Sequence, residues 1–273
     1  MKKHSTWIAV VTAVAALAVV IAGHAADPAA STAPAAIRTG LSSDEFAEKI
    51  DKVVKGKYLL YLPETYGKDK LRLPLILFLH GSGERGNNPN IIGNFGPPLV
   101  ALKQKGFPFI VLAPQCPPGK WWTDADVTDM VMALLDKVCK DYLVDTKRIY
   151  LTGMSMGGFG AWDLAQKFPN RWAALAVVCG GGNPYLQMRV KNIPTRVFHG
   201  AQDKNVPIFF AQQMVGTLKQ AGGMVDFKVY PDKPHDVWTV TYNDPTLYEW
   251  FLSHSLGEAR QPQRLTPTLQ TTR

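Results

Sequence analysis

The chain has 273 residues, of which 46% are hydrophobic and 19% are charged, and its formal net charge is +8. This composition excludes a disordered or fibrous chain and fits one large globular domain. Half of the net charge comes from the two extreme ends of the chain, and no Lys/Arg cluster alternates with aromatic residues. The sequence therefore gives no support to nucleic-acid binding.

The first residues have the pattern of a secretory signal peptide. Lys2 and Lys3 give a positive start, and an Ala- and Val-rich apolar run over residues 6–22 ends in small residues. We therefore predict a signal peptide over residues 1–25 and a periplasmic or secreted protein. An uncleaved membrane anchor is the alternative, since the run falls just short of a comfortable span. No other stretch of the sequence is long and apolar enough to cross a bilayer, so we expect no stable span after cleavage.

The rest of the chain divides by composition. Residues 26–40 are rich in Ala, Pro and Ser and predict a flexible lead-in. Residues 41–256 form the predicted globular body. Residues 257–273 show no apolar periodicity and predict a disordered tail.

Apolar runs of strand length alternate with helical patterns along the body. The predicted strands are 57–63, 73–80, 107–114, 148–153, 172–182, 193–200 and 225–231, and the predicted helices are 97–105, 126–141, 159–168, 209–220 and 246–256. This alternation, without an internal repeat, predicts an α/β fold with a mostly parallel central sheet, helices on both faces and no large cap domain. In such sheets, binding and catalytic residues lie in the loops that follow the carboxyl ends of the strands.

A glycine-rich loop, GSGERGNN, follows the second predicted strand. Such a loop can cradle a phosphate or turn backbone N–H groups toward a developing oxyanion. No Lys-Ser/Thr pair follows it, which disfavours the phosphate site. We predict Ser82, with Gly83 as the fallback, as an oxyanion donor, and His80 as a residue that holds the loop in shape.

Two tryptophans follow the third predicted strand, in PQCPPGKWW. Adjacent side chains cannot face one way on a strand or a helix. Trp121 and Trp122 are therefore tentative substrate contacts, of which one lines a pocket; the alternative is a tryptophan that caps the hydrophobic core.

The fourth predicted strand runs into a helix through Gly153-Met154-Ser155-Met156-Gly157. A Gly-x-Ser-x-Gly match alone is a weak signal, but this strand–turn–helix setting is what a nucleophile elbow requires. The flanking glycines let strand and helix approach without a Cβ clash. We predict Ser155 as a nucleophile and the Met156 N–H as an oxyanion donor. A tight turn that only needs small residues is the alternative.

A serine nucleophile needs a base and a carboxylate that orients the base. Folds of this type supply them in the chain order Ser, acid, His. The predicted base is His235, in the loop after the last strand, and the alternative is a surface-loop histidine. The other histidines of the body are poorer candidates. The chain order excludes His80 and His199 as the base, and His254 falls in the last predicted helix.

The predicted acid is Asp203, the single carboxylate in the loop after the strand at 193–200. The alternative for Asp203 is an Asx-turn residue. Asp226 begins the last strand and so lies at the wrong end of the sheet. Asp232 and Asp236 are too close in sequence to His235 to orient it easily.

The body has three cysteines, Cys116, Cys139 and Cys179. An exported protein could form one disulfide between any two of them, but we favour small apolar core residues. No Cys/His spacing indicates a zinc site.

The sequence resembles the serine hydrolases of the α/β-hydrolase superfamily. The resemblance is carried by the stretches LFLHGSGERG, APQCP, KWW, IYLTGMSMGGFGAWDLA, CGGG, FHGAQDKNVP and PHDVW. The resemblance covers nearly the whole body and is closest to the phospholipase/carboxylesterase-like, dienelactone-hydrolase-like and "predicted peptidase" esterases. It implies an α/β-hydrolase fold with Ser155 as nucleophile, Asp203 as acid and His235 as base. The dienelactone hydrolases proper have cysteine at the position of Ser155.

These observations predict a secreted or periplasmic carboxylic-ester hydrolase that forms an acyl-enzyme and requires no metal or organic cofactor. A serine peptidase or amidase with the same three residues is the main alternative, and a non-catalytic carbohydrate- or polymer-binding protein is the third. The expected partner is a small-molecule or polymer-linked ester, with no nucleic acid. The sequence leaves the acyl group, the alcohol and the oligomeric state open.

Overall fold

The computed structural model describes residues 52–257. The predicted signal peptide, the lead-in, the first residues of the predicted body and residues 258–273 of the predicted tail lie outside the described residues. Within them, no helix is long and apolar enough to cross a membrane.

Seven strands and six α-helices alternate along the described residues. The strands are β1 (Tyr58–Tyr61), β2 (Leu73–Leu79), β3 (Ile110–Pro114), β4 (Val144–Met154), β5 (Ala174–Val178), β6 (Thr195–Gly200) and β7 (Val225–Tyr230). The helices are α1 (Gly96–Lys103), α2 (Ala125–Asp141), α3 (Met156–Lys167), α4 (Phe209–Gln220), α5 (Trp238–Tyr242) and α6 (Pro245–Leu252).

The seven strands form one sheet in the order β1-β3-β2-β4-β5-β6-β7. Only β1 pairs antiparallel, with β3, and the other neighbours in the described sheet are parallel. The predicted mostly parallel sheet is confirmed. Because parallel strands need crossover connections, helices follow them and cover both faces.

The side chains of the central strands alternate between two hydrophobic cores. In β2, Leu75 and Leu77 belong to the core under α2, α3 and α4, whereas Ile76 and Phe78 belong to the core under α1, α5 and α6. Successive side chains of a strand point to opposite faces, so a wholly apolar strand such as β2 is the sequence signature of burial on both sides.

The structure differs from the sequence prediction mainly at the ends of elements. Helix α3 begins at Met156 rather than at 159, because Gly157 and Gly158 are helical residues and not part of the turn. Helix α6 ends at Leu252 rather than at 256, because the backbone N–H of Leu256 leaves the helix to donate to the Lys147 carbonyl oxygen of β4, at 2.8 Å.

Helix α5 and the length of β4 were not predicted. Helix α5 has five residues, and its Tyr242 is buried and hydrogen-bonded through its hydroxyl to Thr152 Oγ1 at 2.9 Å, a contact between elements far apart in sequence. Strand β4 starts at Val144, four residues earlier than predicted, because Val144 already pairs with Leu73 of β2 and regular pairing continues from Ile149 after a register shift.

The strand register brings the carboxyl ends of the central strands to one edge. Leu79 of β2 pairs with Gly153 of β4, and Met154 pairs with Val178 of β5. Further along the sheet, Gly200 of β6 pairs with Tyr230 of β7. The loops that follow these strands therefore start side by side, and they carry the predicted site residues.

Candidate active site

Ser155 occupies a sharp turn between β4 and α3. Its backbone has φ 52° and ψ −118°, a conformation that costs a non-glycine residue about 1–3 kcal/mol. The surroundings hold it there, because the Ser155 N–H donates to Val178 O at 2.9 Å and its carbonyl oxygen accepts from Gly158 N at 2.8 Å. The turn raises the side chain at the carboxyl edge of the sheet, where it is half-buried.

Two glycines allow this turn, because backbone atoms of neighbouring segments lie where the Cβ of any other residue would be. A Cβ on Gly153 would overlap the carbonyl oxygen of Gly157, and a Cβ on Gly157 would overlap the carbonyl oxygen of Leu79 in β2. The glycines on either side of Ser155 are therefore needed for close approach of β4, α3 and β2.

His235 links Ser155 to Asp203. Its Nε2 lies 2.8 Å from Ser155 Oγ, and its Nδ1 lies 2.6 Å from Asp203 Oδ2. The carboxylate can only accept, so Nδ1 carries the proton and Nε2 is free to accept the Ser155 hydroxyl proton. An imidazole held in this way can activate a serine for attack on a carbonyl carbon.

The Asp203 carboxylate is itself held by backbone groups. Its Oδ1 accepts the N–H groups of Asn205 and Val206, each at 2.9 Å, and the side chain is fully buried. Asp203 Oδ1 therefore forms an Asx-type turn, which is the alternative role considered for this residue. The other carboxylate oxygen, Oδ2, contacts His235.

The glycine-rich loop after β2 lies beside Ser155. A Cβ on Gly81 would be 3.9 Å from the Ser155 Cβ. Ser82 is exposed and opens a short 3-10 helix, and Met156 is the first residue of α3, where an N–H has no intrahelical acceptor. Both predicted oxyanion donors thus lie on segments next to the nucleophile.

His80 joins this loop to the end of β3. Its Nε2 accepts the Cys116 N–H at 3.0 Å, so its Nδ1 carries the proton and donates to Gly81 O at 2.6 Å. Burial lowers the pKa of His80 to about 4, so the ring is neutral at pH 7. The contacts agree with the predicted role of His80 in holding the loop.

The neutral His80 predicts a pH-dependent stability. The unfolded chain takes up a proton near pH 6.5, whereas the folded chain does so only near pH 4. Stability should therefore fall as the pH drops through this window, with His80 contributing up to about 3 kcal/mol of the loss. Urea unfolding at pH 7 and pH 4.5 should show a smaller loss for His80→Asn than for the unsubstituted protein. Equal losses would contradict the assignment.

The two tryptophans after β3 have different environments. Trp122 is 1% exposed, and its Nε1 donates to His80 O at 2.9 Å. A substrate has no access to this ring, so the tentative assignment of Trp122 as a substrate contact is wrong. Trp122 is a residue of the hydrophobic core. Trp121 is 48% exposed and remains available as a substrate contact.

The three cysteines are free, with Cys116 and Cys179 buried and Cys139 half-buried. Among residues 52–257, one group of potential metal ligands is found, formed by Cys179, Asp203 and His235 with donor atoms within 4.8 Å of one another. Burial raises the pKa of the Cys179 thiol, and the other two side chains are hydrogen-bonded to each other. This donor set fits the hydrogen-bonded pair better than a metal ion, which would need the thiolate.

Two residues at the site were missed by the sequence prediction. The Trp238 ring packs edge-on against His235, with 5.3 Å between ring centroids. His199, set aside as a candidate base, lies with its Nε2 3.2 Å from Asp203 Oδ2. The sequence signal for both was their place just after or at the end of a strand at the active edge.

A comparison with protein families matches residues 114–243 to the dienelactone hydrolase family. Residues 114–243 are thus similar to the dienelactone hydrolases. The matched range includes Ser155, Asp203 and His235, and the predicted resemblance is confirmed.

The chain is also similar to proteins named as esterases. It is 29% identical over 187 residues to a bifunctional acetylxylan esterase/xylanase of Neocallimastix patriciarum, covering 65% of this chain and 26% of the relative. It is 27% identical over 169 residues to a probable feruloyl esterase C of Aspergillus terreus, covering 61% and 62%. The chain thus spans less than two thirds of the length of either relative.

Among solved structures, a thermostable esterase matches this chain with a TM-score of 0.63 and 33% identity. The match covers 72% of this chain and 59% of that one. The predicted α/β-hydrolase fold is confirmed.

Proposed function

We propose that the protein is a serine hydrolase that cleaves carboxylic esters through an acyl-enzyme on Ser155. The observation that carries the proposal is the continuous line from Ser155 Oγ through His235 to Asp203, with contacts of 2.8 and 2.6 Å. The strained turn at Ser155 and the similarity of the chain to proteins named as esterases support it.

In the proposed reaction, His235 Nε2 takes the Ser155 proton as Oγ adds to the ester carbonyl carbon. The N–H groups of Met156 and Ser82 stabilise the tetrahedral oxyanion. The bond from the acyl carbon to the alcohol oxygen then breaks, and His235 gives its proton to that oxygen. Water, deprotonated by His235, adds to the acyl carbon and releases the acid as Ser155 regains its proton.

The substrate class follows from the surroundings of Ser155. The serine is half-buried at the carboxyl ends of the strands, and Trp121, in the loop after β3, is 48% exposed, which suits both small esters and esters carried on a polymer. The relatives named for acetylxylan and feruloyl esters support the same classes. We propose Trp121 as a contact for the substrate.

A panel of substrates tests the proposed activity. We expect p-nitrophenyl acetate and butyrate to be cleaved with a kcat/KM at least about 100-fold above that of aminoacyl p-nitroanilides, because an alkoxide or phenoxide leaves more readily than an amide nitrogen. Faster turnover of the anilides would favour the peptidase or amidase alternative, which uses the same three groups.

A fluorophosphonate probe separates an enzyme from the non-catalytic alternative. An activated serine reacts with the probe in the folded protein, and we expect labelling of Ser155 that is lost after heat unfolding. Absence of labelling in the folded protein would overturn the hydrolase proposal and favour a polymer-binding protein.

We also propose that the protein is exported, from the positive start and the apolar run at its N-terminus. Mass spectrometry of the N-terminus of protein recovered from the periplasm or medium of a bacterial host tests this. A first residue near position 26 is the expected result, and an intact Met1 on membrane-associated protein would favour the anchor.

A further inference from the structure

His199 is the residue before the last one of β6, and its side chain is fully buried. Its Nε2 donates to the carbonyl oxygen of Val206 at 2.8 Å and lies 3.2 Å from Asp203 Oδ2. Val206 in turn donates its N–H to Asp203 Oδ1 at 2.9 Å. The loop that carries the acid is therefore closed by a histidine that the esterase mechanism above does not use.

The hydrogen bond to Val206 defines the state of the ring. A carbonyl oxygen can only accept, so the proton of His199 is on Nε2. Its Nδ1 is buried and has no hydrogen-bond partner among residues 52–257. A second proton there would have no acceptor, and burial lowers the pKa of His199, so the ring is neutral at pH 7.

We propose that His199 is a positioning residue that holds the Asp203 carboxylate in line with His235. The inference rests on the proposed function of the Ser155, Asp203 and His235 group. The carboxylate is held on both sides: the Asn205 and Val206 N–H groups contact Oδ1, and the edge of the His199 ring borders Oδ2 beside the His235 contact.

The neutrality of His199 matters for the proposed reaction. A charged ring 3.2 Å from Oδ2 would oppose the imidazolium that forms on His235 during catalysis. A neutral N–H edge limits the movement of the carboxylate and leaves its negative charge for His235. Two further titratable groups lie near this pair among residues 52–257: the protonated thiol of Cys179 and Asp236, whose carboxylate accepts from Thr239.

Two substitutions separate positioning from simple packing. His199→Leu keeps much of the volume and removes the donor, while His199→Gln places an amide N–H near the former Nε2. We expect His199→Leu to lower kcat by about 10- to 100-fold with KM within about threefold, because the loss acts on the alignment of groups and not on substrate binding. His199→Gln should recover most of kcat.

The pH profile gives an independent readout. In His199→Leu the carboxylate is no longer held in line with the base, so the acid limb of the pH profile of kcat/KM should shift. His254→Leu, outside the site, is the matched control and should leave the profile unchanged. A kcat within threefold of the original together with an unmoved limb would overturn the proposal.

A variant that fails to fold does not end the test. If His199→Leu lacks native circular dichroism, His199→Gln is compared with His199→Asn, whose shorter amide cannot reach Val206 O from the Nε2 position. A kcat at least about tenfold higher for Gln supports positioning, and equal values overturn it. If Ser155→Ala also retains activity, the proposed function itself has failed, which is a separate result.

Discussion

Ser155→Ala is expected to lower kcat for p-nitrophenyl acetate by roughly 10³- to 10⁶-fold, because the alanine has no oxygen to form the acyl-enzyme. His235→Ala should cause a loss of the same order, since the base lies 2.8 Å from Ser155 Oγ and no other histidine contacts that oxygen among residues 52–257. The losses should not add: the double variant should be no slower than either single variant, because the groups act as one unit.

The control for this measurement is a serine outside the site. Ser253 donates its hydroxyl to Trp250 O at the end of α6, and Ser253→Ala should keep kcat within about twofold. Circular dichroism of all variants must match the original protein. Two single losses that multiply in the double variant would mean that Ser155 and His235 act in separate steps, and the proposed line of proton transfer would be wrong.

Gly157→Ala is expected to destabilise the protein by about 3 kcal/mol or more, at the upper end of the range for overpacked sites. The added Cβ overlaps Leu79 O and crowds His80 O, which are backbone atoms of β2 and its loop and cannot rotate away. The same displacement moves Ser155 relative to the predicted oxyanion donors, so the folded fraction should also lose activity. Urea unfolding with activity measured before denaturation checks both effects.

Gly216→Ala in α4 is the matched control for Gly157→Ala. Among residues 52–257, no atom beyond the chain neighbours and the backbone of α4 itself lies within 4 Å of a Cβ at this position. Alanine favours the helix over glycine, so the substitution should stabilise the protein by about 0.5–1 kcal/mol. If Gly157→Ala were as stable as Gly216→Ala, the close approach of α3 and β2 could not be the reason for glycine at position 157.

The sequence predicts those parts of the fold whose secondary structure is determined by residues close together along the chain. The apolar runs of β2, β3 and β5 are buried on both faces, so they carry a continuous signal, whereas α5 is a single short turn that is helical through the contact of Tyr242 with β4. The start of α3 was predicted too late because glycine disfavours an isolated helix. In the folded chain the packing of α3 on β2 outweighs that preference.

The site shows the same division. Spacing around Ser155 and the chain order of acid and base were enough to select Asp203 and His235, and the structure places all three in hydrogen-bond contact. The sequence could not predict which of the two adjacent tryptophans is buried, because this depends on which indole N–H reaches the His80 carbonyl oxygen. His199 was set aside by chain order, although proximity to the acid depends on how the loop from Gly200 to Val206 folds back.

By itself, the sequence determined the α/β class, the elbow at Ser155 and the candidates for acid and base, because periodicity, glycine spacing and chain order are local or one-dimensional properties. Only the tertiary structure decided that Trp122 is a core residue, that His80 is neutral and that His199 borders the Asp203 carboxylate. These facts depend on burial and on distances between segments distant along the chain, and such distances exist only once the strands are paired and the loops at their carboxyl ends are packed together.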